Sequence, residues 1–99
     1  MKYDHITVPE RGRPITINNE RSVDVPDEPI VPFITGDGIG ADVTPVMRAV
    51  VDAAVEKAYE GRRRIAWMEV FAGEAATKRY GDEAWLPDET LHALEHYVV

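Results

Sequence analysis

The sequence contains no cysteine, which removes disulfide scaffolds, thiolate metal sites and thiol nucleophiles together. Basic residues are scarce: eleven Lys and Arg stand against eighteen Asp and Glu, for a net charge of −7. A general nucleic-acid binder, or a protein held on an anionic membrane, needs a basic footprint, so both classes are excluded. No apolar run approaches the ~20 residues of a membrane span, and residues 1–10 lack a hydrophobic signal core. A soluble cytoplasmic protein is therefore expected. There is no internal repeat and no low-complexity tract. No Ser/His/Asp set, close carboxylate pair or lysine in apolar surroundings can be assembled for nucleophilic or acid–base catalysis. What is present is an ordinary globular composition, 44% hydrophobic and 29% charged, unlike that of a disordered tail. Ninety-nine residues make one small domain or a piece of a larger one.

Residues 1–29 read as a polar arm. Ile15-Thr16-Ile17 and Val23-Asp24-Val25 alternate on either side of Asn18-Asn19-Glu20-Arg21-Ser22, the pattern of a small hairpin that needs other structure to lean on. Residues 30–99 read as α/β. Ile30-Val31-Pro32-Phe33-Ile34-Thr35 is a buried strand, with Pro32 implying an edge or a bulge because it has no amide for the ladder. Gly36-Asp37-Gly38-Ile39-Gly40 must be a loop. Thr44 and Pro45 suit the cap and first position of a helix. Met47, Val50, Val51, Ala54 and Ala58 then give it an apolar face, and Gly61 ends it. Ile65 to Phe71 is a second buried strand, so strand, helix and strand form a right-handed parallel crossover. Glu74–Tyr80 is a short helix before Gly81, and Asp88 opens another that runs to about His96. Tyr97-Val98-Val99 reads as the start of a further strand, cut short.

Gly36-Asp37-Gly38-Ile39-Gly40-Ala41 matches the dinucleotide pattern G-x-G-x-x-A between a strand and a helix. In that reading amides at the helix N-terminus would bind pyrophosphate. Two features favour a loop that lines a cleft without cradling phosphate. The second strand ends near Phe71-Ala72 rather than at a ribose-binding acid, and Asp37 would repel a phosphate. His92-Ala93-Leu94-Glu95-His96 has H-x-x-E-H spacing, yet the nearby sequence offers no third zinc ligand, so two solvated histidines are the better reading. Arg62-Arg63-Arg64 complements the negative end of the preceding helix. Trp67 and Phe71 are expected as core aromatics on one strand face. Trp85 pins its loop to the core or to a partner, and the sequence does not choose between them.

Taken together, Pro29 to Pro45, with the string Ile34-Thr35-Gly36-Asp37-Gly38-Ile39-Gly40-Ala41-Asp42-Val43-Thr44-Pro45, resembles the opening strand, loop and helix of the isocitrate/isopropylmalate dehydrogenase family. Val51 to Tyr59, Ile65-Ala66-Trp67-Met68-Glu69-Val70, Gly73-Glu74, Tyr80-Gly81 and Trp85-Leu86-Pro87-Asp88-Glu89-Thr90-Leu91 are similar to its bacterial NADP-dependent, isocitrate-oxidising branch. Ile15-Thr16-Ile17 and Val25-Pro26 in the arm agree with that branch. The resemblance implies a partial parallel βαβ unit of that family's fold, which is not a Rossmann fold. It implies oxidative decarboxylation of isocitrate to 2-oxoglutarate in the tricarboxylic acid cycle, with NADP, Mg²⁺ or Mn²⁺, and a homodimer. It places the catalytic and metal-binding groups beyond Val99 and carries over the glycine loop alone: Ile39 beside the cofactor, with Gly38 and Gly40. The expectation is thus the N-terminal part of a large α/β domain, inactive by itself. A 3-isopropylmalate or homoisocitrate enzyme and a shortened, non-catalytic binding module are the alternatives.

Overall fold

Residues 2–99 are described by a computed structural model. In the arm lie β1 (Arg13–Pro14), β2 (Thr16–Ile17) and β3 (Val23–Asp24), followed by β4 (Pro29–Phe33). Helix α1 (Gly40–Tyr59) leads to β5 (Ala66–Glu69), and α2 (Glu74–Tyr80) and α3 (Asp88–Tyr97) complete the chain. β1, β4 and β5 form a parallel sheet in that order, with Ile30 opposite Ala66 and Pro32 opposite Met68. The expected hairpin is present: β2 and β3 pair antiparallel, Ile17 against Val23. Its turn is organised by the Asn18 carboxamide, which accepts the Glu20 and Ser22 amides at 2.9 and 3.0 Å. The arm also contributes β1, whose two residues were not foreseen as a strand.

Alternation along β4 and β5 divides the sheet into two faces. Ile30, Ala66, Met68 and Val70 enter a core closed by Ile6 from the arm, Ala76 of α2, and Ala93 and Tyr97 of α3. Thr90 is fully buried beside them, its hydroxyl donating to the Phe71 carbonyl at 2.7 Å. The opposite face carries Phe33 and Trp67 beneath α1, their rings 5.9 Å apart edge to face.

Several expectations need correction. Pro32 lies in the middle strand, neither at a sheet edge nor in a bulge. It is tolerated because β1 pairs only with Pro29 and Ile30. The Phe33 carbonyl points to β5, where it accepts the Val70 amide, so the missing amide of Pro32 faces the side that β1 leaves open. α1 starts at Gly40, four residues before Thr44, so Pro45 lies inside the helix rather than at its first position. Thr44 does not cap: it is buried, and its hydroxyl donates to the Thr35 carbonyl at 2.6 Å.

The inward face of α1 also differs. Thr44, Arg48, Val51 and Val55 turn toward the sheet, while Val50, Ala54 and Ala58 are exposed, so of the expected stripe only Val51 faces inward. Arg48 can lie there because its guanidinium stacks on Phe33 at 4.4 Å and Trp67 at 5.6 Å. Trp67 in turn donates its indole N–H to Asp52 at 2.8 Å. Trp67 and Phe71 do not share a face. The strand stops at Glu69, and Phe71 enters the core from the turn beyond it. Tyr97-Val98-Val99 forms no strand: Tyr97 is the buried last residue of α3, and Val98 caps it in the left-handed region. In the arginine triplet Arg62 serves the end of α1 through the Tyr59 carbonyl at 3.0 Å, and the Arg63 guanidinium lies over the Tyr59 ring at 5.3 Å. Arg63 pairs with Asp27 at 3.4 Å and Arg64 with Glu28 at 3.0 Å, tying the arm to the crossover.

The N-terminal end of the arm is fastened by one carboxylate. Glu89, in the first turn of α3, accepts the amides of Asp4 and His5 and the hydroxyl of Tyr80. Burial pushes the Glu89 carboxyl up, but those three donors outweigh it and hold the group below its ordinary value of 4.5. Burial, then the bond to Glu89, raises the Tyr80 phenol. Since the folded carboxyl sits below the unfolded one, its stabilisation is complete above 4.5 and is lost as pH falls through the lower folded value. Glu89→Gln should therefore lower the Tm at neutral pH, and its deficit against the parent should shrink on acidification. A pH series of thermal melts checks this, and a deficit that is constant with pH would contradict it.

Candidate functional site

The glycine loop between β4 and α1 is the candidate that the resemblance carries over, and the structure fixes its shape from three directions. Gly36 and Gly38 take positive φ, 87° and 56°, which residues with a Cβ rarely adopt. The Gly40 amide returns to the Asp37 carbonyl at 3.0 Å, the Ala41 amide to Gly38 at 3.2 Å, and the Asp42 and Val43 amides to Ile39 at 3.0 Å. Below the loop, the Thr35 carbonyl receives the Thr44 hydroxyl, and a Cβ on Gly40 would come within 2.6 Å of that same oxygen.

Asp37 supplies the third anchor. Its carboxylate accepts the amides of Glu74 at 2.9 Å and Ala75 at 3.4 Å, capping the start of α2. Gly73 precedes them with φ 78° and ψ −150°. A Cβ there would meet the Asp37 carboxylate at 2.5 Å. The Gly73 amide donates to the Trp85 carbonyl at 2.7 Å, so the Trp85 loop is fastened to the same point by its backbone, while the indole is largely exposed. The sequence hinted at neither partner of Asp37, since the contact spans 37 residues and no local pattern encodes it.

The loop's geometry bears on its chemistry. The first amides of α1 are consumed within the turn, so they are not spread outward as a phosphate cradle. β5 stops at Glu69 rather than near Phe71, which does put an acid at the strand end, but that carboxylate accepts the Thr35 hydroxyl at 2.7 Å. What the loop presents is Ile39, 77% exposed, beside Gly38, where an added Cβ would meet nothing within 4 Å. An exposed apolar side chain next to bare backbone suits contact with a flat ring better than with an anion. The loop thus keeps Gly38, Ile39 and Gly40 together.

The histidine pair is separate from this site. His92 and His96 lie on the exposed face of α3, and His96 rests edge to face on Tyr97. Among the described residues no three His, Asp or Glu side chains are grouped to hold a metal ion.

Comparison with known proteins places these features in context. The isocitrate/isopropylmalate dehydrogenase family profile matches residues 30–99. Over all 99 residues the chain is 61% identical to the isocitrate dehydrogenase [NADP] of Coxiella burnetii, covering 23% of that protein. It is 61% identical to the one from Pseudomonas aeruginosa, covering 24%. The Aquifex aeolicus relative of the same name is 41% identical over 92 residues, 93% of this chain and 21% of its own. The chain thus spans about a quarter of the length of the curated relatives it matches.

Proposed function

Because this chain belongs to the isocitrate/isopropylmalate dehydrogenase family, we propose that it supplies the opening crossover and one cofactor wall of an NADP-dependent isocitrate dehydrogenase. The reaction would be oxidative decarboxylation of isocitrate to 2-oxoglutarate. The observation that carries this reading is the match of all 99 residues, arm and tryptophan segments included, to about a quarter of relatives of that name at 61% identity.

In this reading Ile39 packs along the bound dinucleotide, and Gly38 lets it approach the backbone. Gly40 keeps the turn tight enough for Ile39 to project. Asp37, held on α2, stays turned away and so brings no negative charge to the cofactor. NADP⁺, when bound, supplies the hydride acceptor. A Mg²⁺ or Mn²⁺ ion would stabilise the enolate formed on decarboxylation. The residues described here offer no ligand set for it, so this chain is assigned no step at the metal. Isocitrate and NADP as substrates, a homodimer as the assembly, and the cytoplasm as the compartment complete the proposal. No helix among the described residues is long and apolar enough to cross a membrane.

The test is a chimaera in which this chain replaces the aligned segment of the Coxiella burnetii relative. It should form NADPH with isocitrate and not with 3-isopropylmalate, while the 99-residue chain alone forms none. A folded chimaera that is inactive with isocitrate would overturn the reading.

A further inference from the structure

Thr35 is the last residue before the glycine loop, and both of its polar groups are engaged. Its hydroxyl donates to Glu69 Oε2 at 2.7 Å, where β5 ends. Its carbonyl accepts the Thr44 hydroxyl of α1 at 2.6 Å. One residue thus ties the ends of two parallel strands to the crossover helix. The bond to Glu69 is the stronger kind, because its acceptor is a carboxylate. Both side chains are half-buried, so leaving the bond unmade is costly. Neither residue belongs to the hydrophobic core. What their bond holds is the point from which the loop departs.

We infer that Thr35 and Glu69 are positioning residues for the cofactor: their hydrogen bond sets the path on which the loop carries Ile39, and they act through the loop. The inference rests on the functional reading above. Asp37 is held on the far side of Gly36 by the amides of α2, so the loop is clamped at residues 35 and 37. Ile39 projects two residues further on. The Thr44 contact does not replace the Glu69 bond, because it holds the Thr35 carbonyl and leaves the side chain to Glu69 alone.

Thr35→Val keeps the branched shape and the carbonyl and deletes only the donor. Calorimetric titration of the Coxiella chimaera carrying it should show the Kd for NADP⁺ raised about threefold to tenfold. The Kd for isocitrate and the kcat at saturating NADP⁺ should be unchanged, and Thr35→Ser should restore the parent affinity. Glu69→Ala should weaken NADP⁺ to a similar degree. The double variant should weaken it no further than the larger single effect, since both changes remove one contact. If Thr35→Val fails to fold, Glu69→Ala against Glu69→Gln, which keeps an acceptor, makes the same comparison. An NADP⁺ affinity untouched in Thr35→Val would overturn the inference. So would a loss that Thr35→Ser does not reverse, or equal losses for NADP⁺ and isocitrate, either of which would assign the pair to general stability. A chimaera that is inactive with isocitrate yet binds NADP⁺ and responds to Thr35→Val would sink the isocitrate reading and leave the positioning role standing.

Discussion

Met68→Ala should cost the 99-residue chain about 2–5 kcal/mol, enough to lower its Tm by about 10 °C or more. Met68 is 1% exposed and lies where the sheet meets Ile6, Ala93 and Tyr97. Truncating it removes a thioether from a place where arm, sheet and α3 converge, and the parallel backbone on either side cannot collapse into the gap. Val50→Ala is the matched control. Its side chain is mostly in water, and alanine is the better helix former, so the change should stay within about 0.5 kcal/mol of the parent. Urea unfolding of both variants checks the pair. Equal losses would mean that the expected stripe of α1 is buried after all.

Gly73→Ala is expected to destabilise by about 1–3 kcal/mol through its backbone alone, since φ 78° with ψ −150° is a conformation that only glycine adopts without strain. The new Cβ would also collide with the Asp37 carboxylate and detach the loop from α2. Asp37→Ala removes the same tie from the other side, at about 1–2 kcal/mol for a lost cap. The double variant should therefore lose less than the sum of the two single losses. Strict additivity would contradict a shared contact. Amide exchange at Glu74 and Ala75 should rise in all three.

The elements from β4 onward were legible because glycine and proline punctuate them: Gly36, Gly61, Gly73 and Gly81 each stand at or near an element boundary. The facing of α1 was not legible. Its apolar residues run nearly all round, and the two inward residues that decide the matter look polar. Thr44 is buried with a hydrogen bond and Arg48 is half-buried, stacked on two rings, and neither is visible to a hydrophobic count. The strand expected at Tyr97 failed because burial of its ring completes α3. Glu89 reaches residues more than 80 positions away, which no local signal carries. The glycine loop itself was readable as a site, whereas its anchor through Asp37 was read only as a charge that a phosphate would avoid.

If Ile39 forms part of the NADP wall, steady-state kinetics of the Coxiella chimaera carrying Ile39→Asp will show it. Placing a carboxylate there should raise the KM for NADP about tenfold or more, as a loss of about 1.4 kcal/mol in binding requires, with the KM for isocitrate little changed. A folded variant in which both constants equal those of the parent chimaera would contradict it.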